Sequence, residues 1–174
     1  MKQNSHYWQA AGFALATFIG SLLHFLYEWT DQSILAAPFS GVNESTWEHM
    51  KLLFWPMVWY AIFQWFFFRY MQNYWWIKLS QILLGLVLIP ILFYTYNGVF
   101  GTSPDWINIA IFYLSAAITY LLEWWLFNKN KLQWKNSWRA VFFIAALAVF
   151  FVLFTFIPPE IPLFQDPVTG NFGR

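Results

Sequence analysis

The stretch "AVFFIAALAVFFVLFTFI", residues 140–157, decides the fold. It contains no charged residue, and a helix of this length comes close to spanning the hydrocarbon core of a bilayer. The rest of the chain is similar, since 60% of its 174 residues are hydrophobic, 25% are aromatic and only 10% are charged. An ordinary soluble domain carries about 25% charged residues. The composition therefore predicts an integral membrane protein.

Charged and turn residues divide the chain into five apolar segments, each long enough to cross a bilayer with about 20 residues. The segments are continuously apolar and do not alternate with period two, which favours helices over the strands of a barrel. We therefore predict an all-α bundle of five transmembrane helices over residues 1–157, followed by an extracytoplasmic, Pro/Gly-rich tail over residues 158–174. The predicted spans are about 7–29, 46–68, 75–96, 105–127 and 137–157.

Lysine and arginine are concentrated on the side of the predicted bundle that holds the amino terminus. Because basic residues stay on the cytoplasmic side of membrane proteins, this bias predicts a cytoplasmic amino terminus and an extracytoplasmic carboxyl terminus. The amino-terminal side holds Lys2, Arg69, Lys78, Lys129, Lys131, Lys135 and Arg139, and the other side holds Lys51 and Arg174.

The expected partners are membrane lipids, because most of the 13 tryptophans, Trp47 among them, lie at the ends of predicted spans. Tryptophan at such positions anchors a helix at the membrane interface. The net charge of +1 argues against a nucleic-acid partner.

A polar cluster lies at the predicted outer mouth of the first two spans. His24 lies more than one turn inside the first span, where an ionisable side chain is costly without a partner, so we predict a functional site. Glu28 follows four residues later on the same helical face. Glu48 and His49 are adjacent and point about 100° apart, so they are expected to face different neighbours. Ser45 is expected to form a capping box with Glu48 at the start of the second span.

The leading hypothesis for this cluster is a divalent metal centre, with zinc favoured. It would support metal-assisted hydrolysis or modification of a lipid-like or envelope substrate. The chain has no cysteine, so thiolate ligands are excluded. The predicted metal ligands are His24, Glu28 and His49, the predicted catalytic residues are Glu48 and Glu44, and the predicted substrate-binding residues are Asn43, Ser45, Lys51 and Asp166.

Other functions are compatible with the same residues. They can bind or relay protons or small cations in a component of a transporter for a small solute or cation. They can also form a purely structural clasp in an accessory membrane protein. A nucleophilic Ser45 activated by His49 is a weaker alternative, because Ser45 already serves as a helix cap.

The tail "PPEIPLFQDPVTGNFGR", residues 158–174, is rich in proline and glycine and ends in turn signals. The apolar residues Ile161, Leu163 and Phe164 between its prolines predict a strap that lies back on the outer face. Such a strap would cover the polar cluster.

The chain also carries four distinctive stretches: "GSLLHFLYEW" from residue 20, "FSGVNESTWEHMKLLFWPM" from residue 39, "FYTYNGVFG" from residue 93 and "FTFIPPEIPLFQDPVTGNFG" from residue 154. Together they resemble DUF6512, a family of small bacterial membrane proteins of unknown function seen chiefly in Firmicutes. The resemblance runs over nearly the whole chain and implies a multi-pass protein of the bacterial plasma membrane. It implies no activity and assigns no functional residue.

Overall fold

The computed structural model describes residues 5–129 and 137–173. The expectations for Lys2, Lys131, Lys135 and Arg174 fall outside these residues. Within them, the predicted all-helical fold is confirmed, and the β-pairing is limited to one bridge between Gln165 and Phe172. The described chain forms α1 (Ser5–Trp29), α2 (Thr46–Phe68), α3 (Tyr74–Phe100), α4 (Asp105–Asn128), α5 (Ser137–Phe156) and a short 3-10 helix (Pro162–Phe164).

Four of the described helices, α1, α3, α4 and α5, are long and apolar enough to cross a membrane. Large apolar side chains project from their outer faces; Phe18, Leu121 and Phe142, for example, are 62%, 62% and 64% exposed. In water such faces would drive association, whereas lipid tails solvate them. The structure is therefore consistent with a multi-pass membrane protein whose outer faces contact lipid.

Helix α2 is the centre of the bundle. It packs against α1, α3, α4 and α5, and most of its residues are buried. It has the length of a span, 23 residues, but with Glu48, Lys51 and Gln64 it is not among the four strongly apolar helices. Its three polar side chains are buried in the bundle, where they are tolerated if they find partners, whereas Phe63 and Phe66 on its outer face are 52% and 63% exposed. That α2 is a fifth span stays a prediction.

Successive helices run in opposite directions, which gives the bundle two ends. The lower end carries residues 69–73, and there Tyr74 packs edge-on against Phe127. The upper end carries residues 30–45, and there the rings of His24 and His49 face each other at 5.8 Å between centroids.

The charged residues at the lower end agree only in part with their expected role as loop charges. Arg69, Lys129 and Arg139 are exposed at this end. Lys78, by contrast, is buried inside the bundle at 1% exposure. The predicted orientation of the chain in the membrane stays a prediction.

Helix α1 lies directly on α2 and α4 because Gly12 and Gly20 have no side chain. A Cβ atom at Gly20 would lie 2.8 Å from the carbonyl oxygen of Leu52, and one at Gly12 would lie 2.5 Å and 2.4 Å from the rings of Tyr60 and Tyr120. These distances are below van der Waals contact. The close approach fixes the ends of α1 and α2 beside each other.

Hydrogen bonds hold the connection between α1 and α2, residues 30–45, against α1. The hydroxyl of Ser40 donates to the carbonyl oxygen of Leu23 and accepts from the backbone N–H of Tyr27 at 2.8 Å. Asp31 and Gln32 reverse the chain after α1 with left-handed φ angles of 51° and 57°. The connection therefore folds back over the last turns of α1.

The tail lies on the upper end of the bundle. Phe164 packs against Trp47 and Phe154, and the side-chain amide of Asn43 donates to the carbonyl oxygen of Gly173 at 2.8 Å. Trp47 is only 9% exposed and also stacks near Phe151. The expectation that Trp47 anchors the chain at the membrane interface is therefore wrong, because the tail and α5 cover its ring.

Candidate metal centre

Three side chains at the upper end could hold a metal ion: His24 from α1, Glu44 from the connection and His49 from α2. One ligand atom from each lies within 4.8 Å of the others. Nε2 of His24 lies 3.7 Å from Oε1 of Glu44, and Nε2 of His49 lies 3.6 Å from Oε2 of Glu44. Ligands of a tetrahedral zinc ion lie about 3.4 Å apart. Small side-chain rotations would therefore bring the three groups, here called the metal group, into coordinating positions.

The start of α2 sets the positions of Glu44 and His49. Ser45 caps the helix, since its hydroxyl oxygen accepts from the backbone N–H of Glu48 at 3.4 Å. The expected capping box is only half formed. The N–H of Ser45 donates to the side chain of Asn43 at 2.9 Å, while the Glu48 carboxylate accepts from the N–H of Val42 at 3.0 Å. Glu44 thus lies just outside the helix and His49 within its first turn.

The hydrogen bonding of His49 suits a metal ligand. Its Nδ1 lies 3.0 Å from the carbonyl oxygen of Ser45. Because a carbonyl oxygen only accepts, Nδ1 carries the hydrogen. In the neutral ring, the lone pair is then on Nε2, the atom that faces Glu44. A backbone carbonyl commonly orients metal-binding histidines in this way.

The metal group is open to solvent. The side chains of His24, Glu44 and His49 are 31%, 48% and 23% exposed. Catalytic zinc sites combine three protein ligands with an open fourth position for water or substrate. The number, the type and the exposure of the three side chains fit this description of a catalytic zinc site. The same geometry also permits a simpler arrangement, in which protonated histidines pair with Glu44.

Glu48, expected as a catalytic residue, lies elsewhere. Its carboxylate pairs with Nζ of Lys51 at 2.5 Å, and the two side chains are 3% and 0% exposed. Nζ of Lys51 also donates to the carbonyl oxygen of Ala37 at 2.8 Å and to the hydroxyl of Thr155 at 3.0 Å. This buried pair joins α2 to the connection and to α5. Lys51, expected to contact substrate, is inaccessible here.

The other predicted site residues do not join the metal group in the described part of the chain. Glu28 is exposed on α1 and lies outside the group. Asn43 ties the connection to the tail, and Ser45 caps α2. Asp166 is buried in the tail, where its oxygens accept from the N–H of Val168 at 2.8 Å and from a threonine hydroxyl at 2.9 Å.

Sequence reasoning missed a second buried ion pair near the lower end, between Lys78 of α3 and Glu123 of α4. From the sequence, Lys78 is only one of the basic residues on the amino-terminal side. A signal for the pair exists in the sequence, because each residue lies about one turn inside the end of its predicted span. In neighbouring antiparallel helices, these two positions lie at the same depth.

Comparisons with known proteins identify a family and no activity. No curated protein and no solved structure gives a significant match to the chain. The model of DUF6512, a family of unknown function, matches residues 1–174, which is the full sequence. The chain therefore belongs to the family DUF6512.

Proposed function

We propose that this protein is a membrane-embedded, metal-dependent enzyme that hydrolyses or otherwise modifies a lipid-like or envelope substrate. The observation that carries the proposal is the metal group itself, two imidazoles and one carboxylate from three chain segments within 4.8 Å. Nitrogen and carboxylate oxygen ligands suit zinc among the common divalent ions. A zinc ion bound there would supply an activated water and polarise a substrate carbonyl or phosphoryl oxygen.

The protein residues would hold the ion and leave it accessible. His49 is oriented by the carbonyl of Ser45. Gly41 lies against His24, since a Cβ on the glycine would be 3.5 Å from Nδ1 of the histidine. Glu44 presents one carboxylate oxygen to each histidine. The substrate would approach the exposed side of Glu44.

The surroundings of the metal group favour an amphiphilic substrate. Trp29, Ile34 and Leu35, which also lie at the upper end, are 64%, 57% and 81% exposed. Large apolar side chains next to a polar site are suited to the boundary between headgroups and acyl chains. We further propose that α2 is a fifth span, that the amino terminus is cytoplasmic and that the upper end faces outward from a bacterial plasma membrane.

A hydrolysis assay tests the proposed activity. The protein in lipid nanodiscs, supplied with Zn²⁺, is incubated with fluorescent phospholipids and ester substrates. Glu44→Gln should lower turnover on the order of 100-fold, because the metal loses its only carboxylate ligand. Glu28→Gln is the matched control, since Glu28 is also exposed at the upper end, and it should retain activity. Turnover that survives both chelation and Glu44→Gln would exclude a metal enzyme at this site.

A second function, cation binding in a transport component, is favoured by the position of Glu48. With Glu48 bound to Lys51, the metal group as described has no second carboxylate to serve as a general base. Binding a cation needs only the ligands. Metal flux into proteoliposomes that His24→Ala abolishes, without substrate turnover, would select this function.

A further inference from the structure

A second cluster of polar side chains lies inside the bundle toward the lower end. Helices α1 to α4 each contribute to it, and each contributing side chain is at most 4% exposed. We call this cluster the polar layer; it consists of Gln9, Gln64, Lys78, Gln81 and Glu123.

Direct contacts join most of the polar layer. Lys78 pairs with Glu123, and Nζ of Lys78 lies 3.5 Å from Oε1 of Gln81. Nζ of Lys78 also lies 5.7 Å from the ring centroid of Tyr74. The hydroxyl of Tyr74 donates to the carbonyl oxygen of Ala61 at 2.6 Å, and its oxygen lies 3.3 Å from Oε1 of Gln64. The ion pair and the amides of α2 and α3 therefore share one region.

Gln9 belongs to the same region through α1. It lies three residues before Gly12, hence on the same helical face, and Gly12 contacts Tyr60 and Tyr120. Glu123 lies three residues after Tyr120 on α4. Because α1 and α4 are neighbours, Gln9 and Glu123 lie at the same depth.

Several polar atoms of this layer have no hydrogen-bond partner in the described part of the chain. They are Oε2 of Glu123, Nε2 of Gln64, and both amide atoms of Gln9. A buried polar group without a partner costs about 1–3 kcal/mol. Buried polar groups in native proteins are almost always paired, with ordered water where protein groups are lacking. These atoms therefore point to a ligand.

The charges and the hydrogen-bonding groups of the layer limit the kind of ligand. Lys78 and Glu123 neutralise each other, so neither an anion nor a cation is favoured. The unpartnered atoms include both donors and acceptors, which calls for an uncharged molecule that accepts and donates. One turn above Gln9, α1 packs so closely on Tyr60 and Tyr120 that a Cβ atom at Gly12 would not fit. Packing this close next to the layer favours a small ligand.

We propose that the polar layer is a binding site for water inside the bundle, with water molecules bridging Gln9, Gln64 and Glu123. A buried water makes about three hydrogen bonds, which matches a site with several unpartnered atoms. On α2, the fully buried Leu53 and Phe54 lie between Lys51 at the upper end and Gln64 in the polar layer. This site is therefore separate from the metal group and does not depend on the proposed function.

Hydroxyl-radical footprinting in nanodiscs tests the proposal, because radiolysis of bound water oxidises adjacent side chains even where bulk solvent is excluded. Tyr74 is 1% exposed, and Phe54 and Phe151 are 0% exposed, so all three are inaccessible to bulk solvent. After normalisation to intrinsic ring reactivity, Tyr74 should be oxidised about 10-fold faster than the two phenylalanines, which have no water sites nearby. Equal rates would overturn the proposal.

Substitution of one glutamine provides a second test. Gln64→Leu removes the unpartnered Nε2, while Tyr74 keeps its hydrogen bond to the carbonyl oxygen of Ala61. Oxidation of Tyr74 should therefore fall several-fold while its burial is kept. Phe54→Leu is the matched control, equally buried on α2 but outside the layer, and should leave Tyr74 oxidation unchanged. Oxidation of Tyr74 that is unaffected by Gln64→Leu would contradict the proposal. The comparison within the wild-type protein remains decisive if either variant fails to fold.

Discussion

The Lys51→Met substitution tests whether the buried pair at the upper end is structural. It leaves the Glu48 carboxylate, 3% exposed, without the cation that lies 2.5 Å away. It also removes the donor to Ala37 and Thr155. Removing one partner of a buried ion pair costs about 3–5 kcal/mol, since the other charge stays buried. The free energy of unfolding should fall by about that amount.

Reversible unfolding by SDS in mixed micelles, followed by tryptophan fluorescence, measures this loss. The double variant Glu48→Leu/Lys51→Met should recover a large part of the stability, because an apolar pair leaves no buried charge. Lys129→Met is the control: Lys129 is exposed and its Nζ lies 4.1 Å from the ring centroid of Trp125, so its loss should change stability by less than about 1 kcal/mol. A Lys51→Met variant within about 1 kcal/mol of wild type, or a strictly additive double variant, would refute the reasoning.

Three further predictions concern packing and metal affinity. Gly20→Ala should destabilise the bundle by about 1–3 kcal/mol in the same assay, because its Cβ would lie 2.8 Å from the carbonyl oxygen of Leu52. Its control is Gly98→Ala, which should be neutral or stabilising by up to about 1 kcal/mol, because a Cβ atom there would have nothing within 4 Å. Phe164→Ala should cost about 3–5 kcal/mol and increase quenching of Trp47 by acrylamide, because the ring of Phe164 covers it. Zinc affinity, measured by competition with a chelating dye, should fall as the pH is lowered, because protons compete for the imidazole nitrogens; a pH-independent affinity would exclude histidine ligands.

The sequence was informative about elements and about the position of the site. The apolar runs predicted the helices closely; the third extends to Phe100 rather than to about residue 96. His24 stood out because an ionisable residue inside an apolar run requires a partner. The structure places His24 with Glu44 and His49, all three of which were predicted site residues.

Which carboxylate lies beside His24 was only partly predictable from the sequence. Whether Glu44 or Glu48 faces His24 depends on where α2 begins. It also depends on which carboxylate accepts from the N–H of Val42 and pairs with the ammonium of Lys51. Val42 belongs to the folded connection, so its contact with Glu48 could not be read from the spacing. Lys51 lies three residues after Glu48 on α2, so helical spacing alone is compatible with this pair. The same kind of spacing placed Glu28 with His24, which the structure does not show.

The Lys78–Glu123 pair shows a different limit. Basic residues near the ends of spans usually mark the cytoplasmic side, and this rule says nothing about a buried partner for Lys78. Recognising the pair requires knowing that α3 and α4 are neighbours, which is a property of the assembled bundle. The interfacial role expected for Trp47 failed for a similar reason, since the tail covers it.

The metal content of the purified protein tests the central claim most directly. Wild-type protein, dialysed against Zn²⁺ and then against metal-free buffer, is compared by inductively coupled plasma mass spectrometry with His49→Ala and His6→Ala. His6, exposed near the other end of α1, is the matched control. We expect about one zinc per chain in the wild type and in His6→Ala, and almost none in His49→Ala. A wild type without metal, or a His49→Ala variant that retains it, would contradict a metal centre at His24, Glu44 and His49.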